Sequence, residues 1–258
     1  MIEIDNLPPV KTPSLFAKFA KNVLILTACI AFGAGAGWGL AGTQKPQWRA
    51  TAQFEQPTVL ELGNYYALAS TYALVSGNKM DNFDKALSEK SYAEFKRQLL
   101  SADVEKAFFA EKSADYALQF DDKTQRLHLT LNSAEMAKPL LDEYLQFANL
   151  RTRAILNGEL IEQWKVLFQQ VKNAVENRLG AIQTGEQIAA QDWNGKLNLM
   201  KSVQPLDDKL IAYRLLQSPS VPSQPHSPDK LLWLMIGAAS GLLFGLFCLS
   251  LLTFRRND

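Results

Sequence analysis

Residues Ser218 to Gly245 read "SPSVPSQPHSPDKLLWLMIGAASGLLFG". Pro219, Pro222, Pro225 and Pro228 fall at every third position, and Gly237, Gly241 and Gly245 then fall at every fourth. A polyproline II helix has three residues per turn, so this spacing predicts a stiff segment over 218–228 with its prolines on one edge. At ~3.1 Å per residue the rod would reach roughly 28 Å. Ser227 reads as a helix cap, Pro228 as the first helical position and Asp229 as a carboxylate at the positive end of the helix. Glycine at every fourth position cuts a shallow groove along one helix face and permits close backbone approach to another membrane helix. Two uses of the proline edge stay open, a spacer and a docking surface.

The glycine-notched helix lies inside a charge-free run of 24 residues, Leu231 to Phe254, and a second run of 23, Asn22 to Gln44, lies near the other end. Each exceeds the ~20 residues that carry a helix across a bilayer core. The expected organisation is a cytoplasmic tail (1–21), a first transmembrane helix (22–44), a periplasmic domain (45–230), a second transmembrane helix (231–254) and a short cytoplasmic tail (255–258). The first span carries small-residue pairs of its own, Gly33 with Gly37 and Gly35 with Gly39, which predicts helix packing within or between subunits. Lys11, Lys18, Lys21, Arg255 and Arg256 flank the spans on one side, so both termini are expected in the cytoplasm and the large middle outside it. "LTAC", Leu26 to Cys29, matches a lipoprotein-type cleavage pattern. The apolar run continues beyond it, so an uncleaved span is expected. Cys29 and Cys248 both lie in the apolar runs, which leaves no cysteine for a disulfide framework in the middle. With 27 basic and 26 acidic residues, the chain lacks the basic excess of a nucleic-acid binder.

The middle is long enough for one core. "WRATAQFEQP", Trp48 to Pro57, alternates apolar and polar residues as a strand does. "VLELGNYYALASTYALVSGN" reads as a helix stopped at Gly77 and Asn78, with further helices over 84–100 and 103–112. "YALQFDDKTQRLHLTLN" reads as a hairpin turning at Asp121 to Thr124. Its Leu127, Leu129 and Leu131 should face one way, and Ala117, Gln119, Arg126, His128 and Thr130 the other. A helical pattern runs from about 134 to 203, with Leu160, Trp164, Leu167, Val171, Val175, Leu179 and Ile182 as one apolar stripe. Gly158, Gly180 and Gly185 are its weak points. A narrow stripe on so long a helix wants a partner, either a second copy or a neighbour in the same chain. "DKLIAYRLLQSPSVP" suggests a last strand beside the first. The expected fold is an α+β domain close to the membrane, with a long projecting helix, flanked by two transmembrane helices.

Residues for catalysis are sparse. His128 and His226 lie far apart in sequence and give no convergent support for a metal site or a triad. Asp121 with Asp122 and Asp207 with Asp208 are paired carboxylates that turn chemistry explains better than catalysis. No G-x-x-x-x-G-K-S/T phosphate loop occurs. No catalytic residue, cofactor or metal is expected.

Taken together, the two-span layout, the strand "WRATAQFEQP" after the first span, the long helix late in the domain and the proline segment entering a glycine-spaced span resemble the Wzz-type chain-length determinants, or polysaccharide co-polymerases. The resemblance implies a non-enzymatic regulator of the length of O antigen, an enterobacterial-common-antigen-like glycan or a similar lipopolysaccharide glycan, in the bacterial inner membrane. It implies partners: other copies of the chain in a ring or bell, a Wzy-type polymerase, the growing lipid-linked glycan and membrane lipids. It also implies that Pro219, Pro222, Pro225, Pro228, Gly237, Gly241 and Gly245 belong to a module needed for length control. An efflux or secretion adaptor is the alternative, and a periplasmic sensor a third reading. Tails this short leave no room for a signalling output.

Overall fold

The computed structural model of the 258-residue chain describes residues 15–110, 112, 115–177 and 192–254. It divides into two units, Trp48–Gln224 and a second built from Met1–Gln47 with Pro225–Asp258.

The larger unit begins with β1 (Trp48–Glu55), α2 (Asn64–Ser76), α3 (Phe83–Leu99) and α4 (Ala102–Phe109), α1 being kept for the apolar helix that precedes them. The hairpin β2 (Tyr116–Asp121) and β3 (Arg126–Leu131), the helices α5 (Ala134–Glu176) and α6 (Trp193–Ser202), and the strand β4 (Arg214–Gln217) follow. The strands form one sheet in the order β2-β3-β1-β4, antiparallel throughout. Strand β1 is central because its alternation gives it a fully apolar inner side: Ala50, Ala52 and Phe54 are buried. Leu127, Leu129 and Leu131 of β3 join them in the core, as the alternation predicts. Phe54 organises that core, with ring centroids of Phe95, Phe120 and Tyr213 at 5.6, 5.9 and 6.3 Å. A second aromatic group gathers Phe108, Phe109 and Tyr116 on Tyr144 and Phe147 of α5, and the Tyr144 hydroxyl donates to the Leu99 carbonyl at 2.6 Å.

Local signals set the helix ends. Helix α2 starts at Asn64 and not with the apolar run before it, because residues 59–63 turn and Gly63 takes a left-handed φ of 54°. An added Cβ there would also lie 3.2 Å from Asp207 Oδ1, so only glycine fits without strain. At the other end Gly77 (φ 80°) caps the helix, its N–H donating to the carbonyls of Ala73 and Leu74.

The expected helix over 134–203 is not one helix. Helix α5 ends at Glu176, and α6 packs back against it around Val171 and Met200. Residues 192–202 make a short return helix because Asp192 caps it, accepting from the Gly195 N–H at 2.8 Å. Leu179, Gly180, Ile182 and Gly185 lie outside the described residues, as do Lys11, Arg255 and Arg256. Helix α5 alone is 43 residues, about 65 Å at 1.5 Å per residue.

The second unit pairs α1 (Leu15–Thr43) with α7 (Lys230–Phe254). Both are long and apolar enough to cross a membrane, over Phe19–Thr43 and Lys230–Leu251.

Candidate functional site

The paired apolar helices carry the most specific geometry in the chain. They run antiparallel: Gly37 lies against Trp233 and Gly237, Gly33 against Gly237 and Gly241, and Cys29 against Gly241 and Gly245. A Cβ on Gly33 would overlap the Gly237 carbonyl and stand 2.9 Å from Gly241 Cα. One on Gly37 would overlap the Trp233 carbonyl and stand 3.2 Å from Gly237 Cα. Gly241 would meet the Cys29 carbonyl, and Gly245 would stand 3.2 Å from Cys29 Cβ. Backbone therefore meets backbone along four glycines, Gly33, Gly37, Gly237 and Gly241, the close contact that dispersion and weak hydrogen bonds favour in lipid, while Gly245 faces the Cys29 side chain. Gly35 and Gly39, the other pair of the first span, have nothing within 4 Å of an added Cβ. Two polar side chains in the spans bond within their own helix: Thr27 Oγ1 donates to the Val23 carbonyl and Ser240 Oγ to that of Ile236, both at 2.9 Å.

The entry to α7 differs from the expected cap. Asp229, not Ser227, caps it, with Oδ1 accepting from Leu231 N at 2.9 Å and Leu232 N at 3.2 Å. A carboxylate is the better acceptor at the positive helix end, and Ser227 is engaged elsewhere. It forms a β-bridge with Gln47, whose N–H donates to the Ser227 carbonyl at 2.7 Å while the Gln47 carbonyl accepts from His226 N at 2.7 Å. Nor is the proline segment a continuous rod. The backbone bends at Ser223 and Gln224; Pro219 is buried, Pro222 and Pro228 are half-buried and Pro225 is exposed. Burial and the bridge decide the local path where proline spacing alone predicts an unbroken helix.

The stripe on α5 is occupied within the chain. Leu160 and Trp164 join the main core, and Trp164, Leu167 and Val171 pack with Val75 of α2 and with Trp193, Leu197 and Met200 of α6. Val175 is half-buried outside both clusters. Lower on the same helix, Asn149 clamps the returning chain. Its Nδ2 donates to the Leu210 carbonyl at 3.0 Å, and its Oδ1 accepts from Ala212 N at 2.9 Å. The Asp208 carbonyl accepts from Arg153, the Glu61 carbonyl from Ile211 N at 2.8 Å and the Pro205 carbonyl from Asn64 Nδ2 at 2.9 Å. Sequence reading passed over this clamp. An asparagine inside a helical run, where its side chain competes for backbone groups, was the signal the sequence held.

The paired carboxylates sit in turns. Thr124 Oγ1 and Lys123 N donate to Asp121, and these bonds hold its carboxyl below the usual range. The ammonium of Lys96, 2.6 Å away, and Gln125 do the same for Asp122. Among the described residues no three His, Cys, Asp or Glu side chains gather as a metal site. His128 Nδ1 hydrogen-bonds Thr51 Oγ1 at 2.8 Å on the sheet, and His226 belongs to the other unit. An open cleft of about 1000 Å³ lies beside α3, lined by Glu55, Thr58, Asp84, Lys85, Tyr92 and Lys96.

No family model matches the chain. The ECA polysaccharide chain length modulation protein of Escherichia coli K12 is 25% identical over 218 aligned positions, covering 74% of this chain and 60% of the relative. Its namesake in Salmonella typhimurium LT2 is 23% identical over the same shares. The chain thus spans about 60% of the length of the curated relatives it matches. Among solved structures, a full-length bacterial polysaccharide co-polymerase superposes with a TM-score of 0.65 at 17% identity, over 96% of this chain and 99% of its own. A fragment of WzzB, a polysaccharide co-polymerase from Salmonella Typhimurium, gives 0.55 at 18% identity, over 70% and 99%. Two apolar end helices around an α+β domain with one long helix are therefore more than a shared layout: this chain has the fold of the Wzz-type polysaccharide co-polymerases.

Proposed function

We propose that this chain regulates the length of a bacterial surface polysaccharide as a non-enzymatic scaffold in the inner membrane. The observation that carries the reading is a likeness in fold to a full-length polysaccharide co-polymerase over 96% of the chain. The curated relatives, named for modulating the chain length of ECA polysaccharide, support the same class of function. On this reading α1 and α7 cross the membrane, both tails are cytoplasmic and Trp48–Gln224 lies in the periplasm. Copies assemble with one another and act beside a Wzy-type polymerase on the growing lipid-linked glycan. The glycine seam of α1 and α7 serves to fix two spans as one rigid anchor, and the Asn149 clamp ties the long helix to the strand that leads back to it.

Deleting the gene in its host and separating the surface polysaccharide by size tests the proposal. A deletion strain is expected to lose its preferred length and to regain it when the gene is restored. An unchanged ladder would refute the reading.

A further inference from the structure

The four-stranded sheet buries one face under the helices and leaves the other polar. On that second face β1 places Arg49, Thr51 and Gln53, β3 places Arg126, His128 and Thr130, and β2 adds Gln119. The register sets Arg49 opposite Thr130, Thr51 opposite His128 and Gln53 opposite Arg126. A side-chain hydrogen bond crosses each of these three rungs. Arg49 Nε donates to Thr130 Oγ1 at 3.3 Å, Thr51 Oγ1 and His128 Nδ1 are 2.8 Å apart, and Arg126 Nε donates to Gln53 Oε1 at 3.2 Å. Each bond to an arginine uses Nε, and the terminal amino groups of Arg49 and Arg126 have no partner among the described residues. The acids nearby are already engaged: Asp121, opposite Arg126, accepts from Lys123 N and Thr124 Oγ1, and Glu55 is paired with Arg214. Arg49 and Arg126 thus stand at the two ends of a row of hydroxyl, imidazole and amide groups about 13 Å long, four residues at ~3.3 Å each.

Pre-oriented guanidinium groups match the carboxylate fork in two parallel hydrogen bonds. The hydroxyls, amides and imidazole between them both donate and accept, as the hydroxyls of a sugar do. A neutral glycan would leave both guanidinium groups unmatched, and a single small anion would engage only one end. We propose that this face binds an acidic oligosaccharide, a short run of sugars bearing carboxylates at both ends of the row. The inference rests on the reading that the chain acts on a polysaccharide, and it assigns where and through what chemistry the glycan is held.

Titration of the detergent-solubilised full chain with trigalacturonate, neutral chitotriose and inorganic phosphate tests it by calorimetry. Trigalacturonate is expected to bind at least about tenfold more tightly than chitotriose, and Arg49→Gln or Arg126→Gln to weaken it by about tenfold each. Arg49→Lys should recover part of the loss, with circular dichroism unchanged in all three variants. Equal binding of the two sugars would overturn the proposal, as would complete competition by phosphate at equal concentration. So would a loss of assembly size in the arginine variants with sugar binding intact. If no sugar binds while gene deletion still alters the polysaccharide ladder, this inference falls and the proposed function stands. If trigalacturonate binds as expected and the ladder is unchanged, the site stands and the length-regulating role falls.

Discussion

At Gly237 one added methyl group would overlap the Gly33 carbonyl and stand 3.1 Å from Gly37 Cα, both of them backbone atoms that cannot turn aside. Gly237→Leu is therefore expected to part α1 from α7, whereas Gly35→Leu, with open space around it, should leave them paired. A disulfide reports the difference. An added Cβ at Gly245 lies 3.2 Å from Cys29 Cβ and 3.6 Å from its Sγ, near the span of a disulfide. With Cys248→Ser as background, Gly245→Cys should cross-link to Cys29 on mild oxidation, and adding Gly237→Leu should abolish the bond. The four-residue spacing was legible in sequence for both pairs of the first span. Which pair meets α7 was not, because positions two apart differ by about 200° around a helix and either face would serve. Burial acts at single tyrosines as well. Tyr65 is pushed up to about 12 from its ordinary 10 by burial and then by Glu159, and Tyr92 to about 12 by burial and then by Asp122 and Glu55. A raised phenol holds its proton more firmly in the folded state. Its contribution is complete below pH 10 and lost as pH rises through about 12. Alkaline unfolding followed by circular dichroism should thus fall between those values, and Tyr65→Phe, which removes one ionisable group, should move the midpoint upward.

The clamp at Asn149 belongs to the scale of elements, because one amide joins α5 to the segment that becomes β4. It satisfies both a donor and an acceptor of the returning backbone, as a neighbouring strand would. Asn149→Ala would strand a half-buried N–H and carbonyl at once, and the expected loss is about 1–3 kcal/mol in urea unfolding. Amide exchange at Ala212 should quicken, while helices remote from the clamp keep their protection. The apolar period of α5 was readable from Leu160 onward, and so was the alternation that makes β1 a strand. The partner of the stripe was not. Leu160, Trp164, Leu167 and Val171 satisfy the same spacing whether a second copy or α6 and α2 cover them. Helix-forming residues in both α5 and α6 made 134–203 look continuous, whereas Met200 of α6 packs against Val171 of α5.

At the scale of the whole molecule, the proposed scaffold would have to assemble through surfaces that folding leaves open, since Leu160 to Val171 of the stripe and the glycine seam pack inside one chain. Leu150, Ile161 and Val166 of α5 remain exposed, and Gly35 and Gly39 stay uncovered on α1. The detergent-solubilised chain is expected to run as a multi-copy particle in light scattering. Charges at Ile161 and Val166 should shrink it without lowering the thermal midpoint, and a particle of one copy would count against the scaffold. The sequence by itself determined two apolar spans, an α+β middle and the extended run that becomes β1. Each of these follows from a local period, of 2 or 3.6 residues or an uninterrupted apolar run, which neighbours in the chain are enough to specify. Only the tertiary structure decided the strand order, which glycines touch, where the proline segment bends, that Asp229 caps α7, and that Arg49 and Arg126 share one face of the sheet, each held there by a hydrogen bond through Nε. These depend on contacts between residues far apart in the chain, and no local period encodes which of several equivalent faces a distant segment will cover.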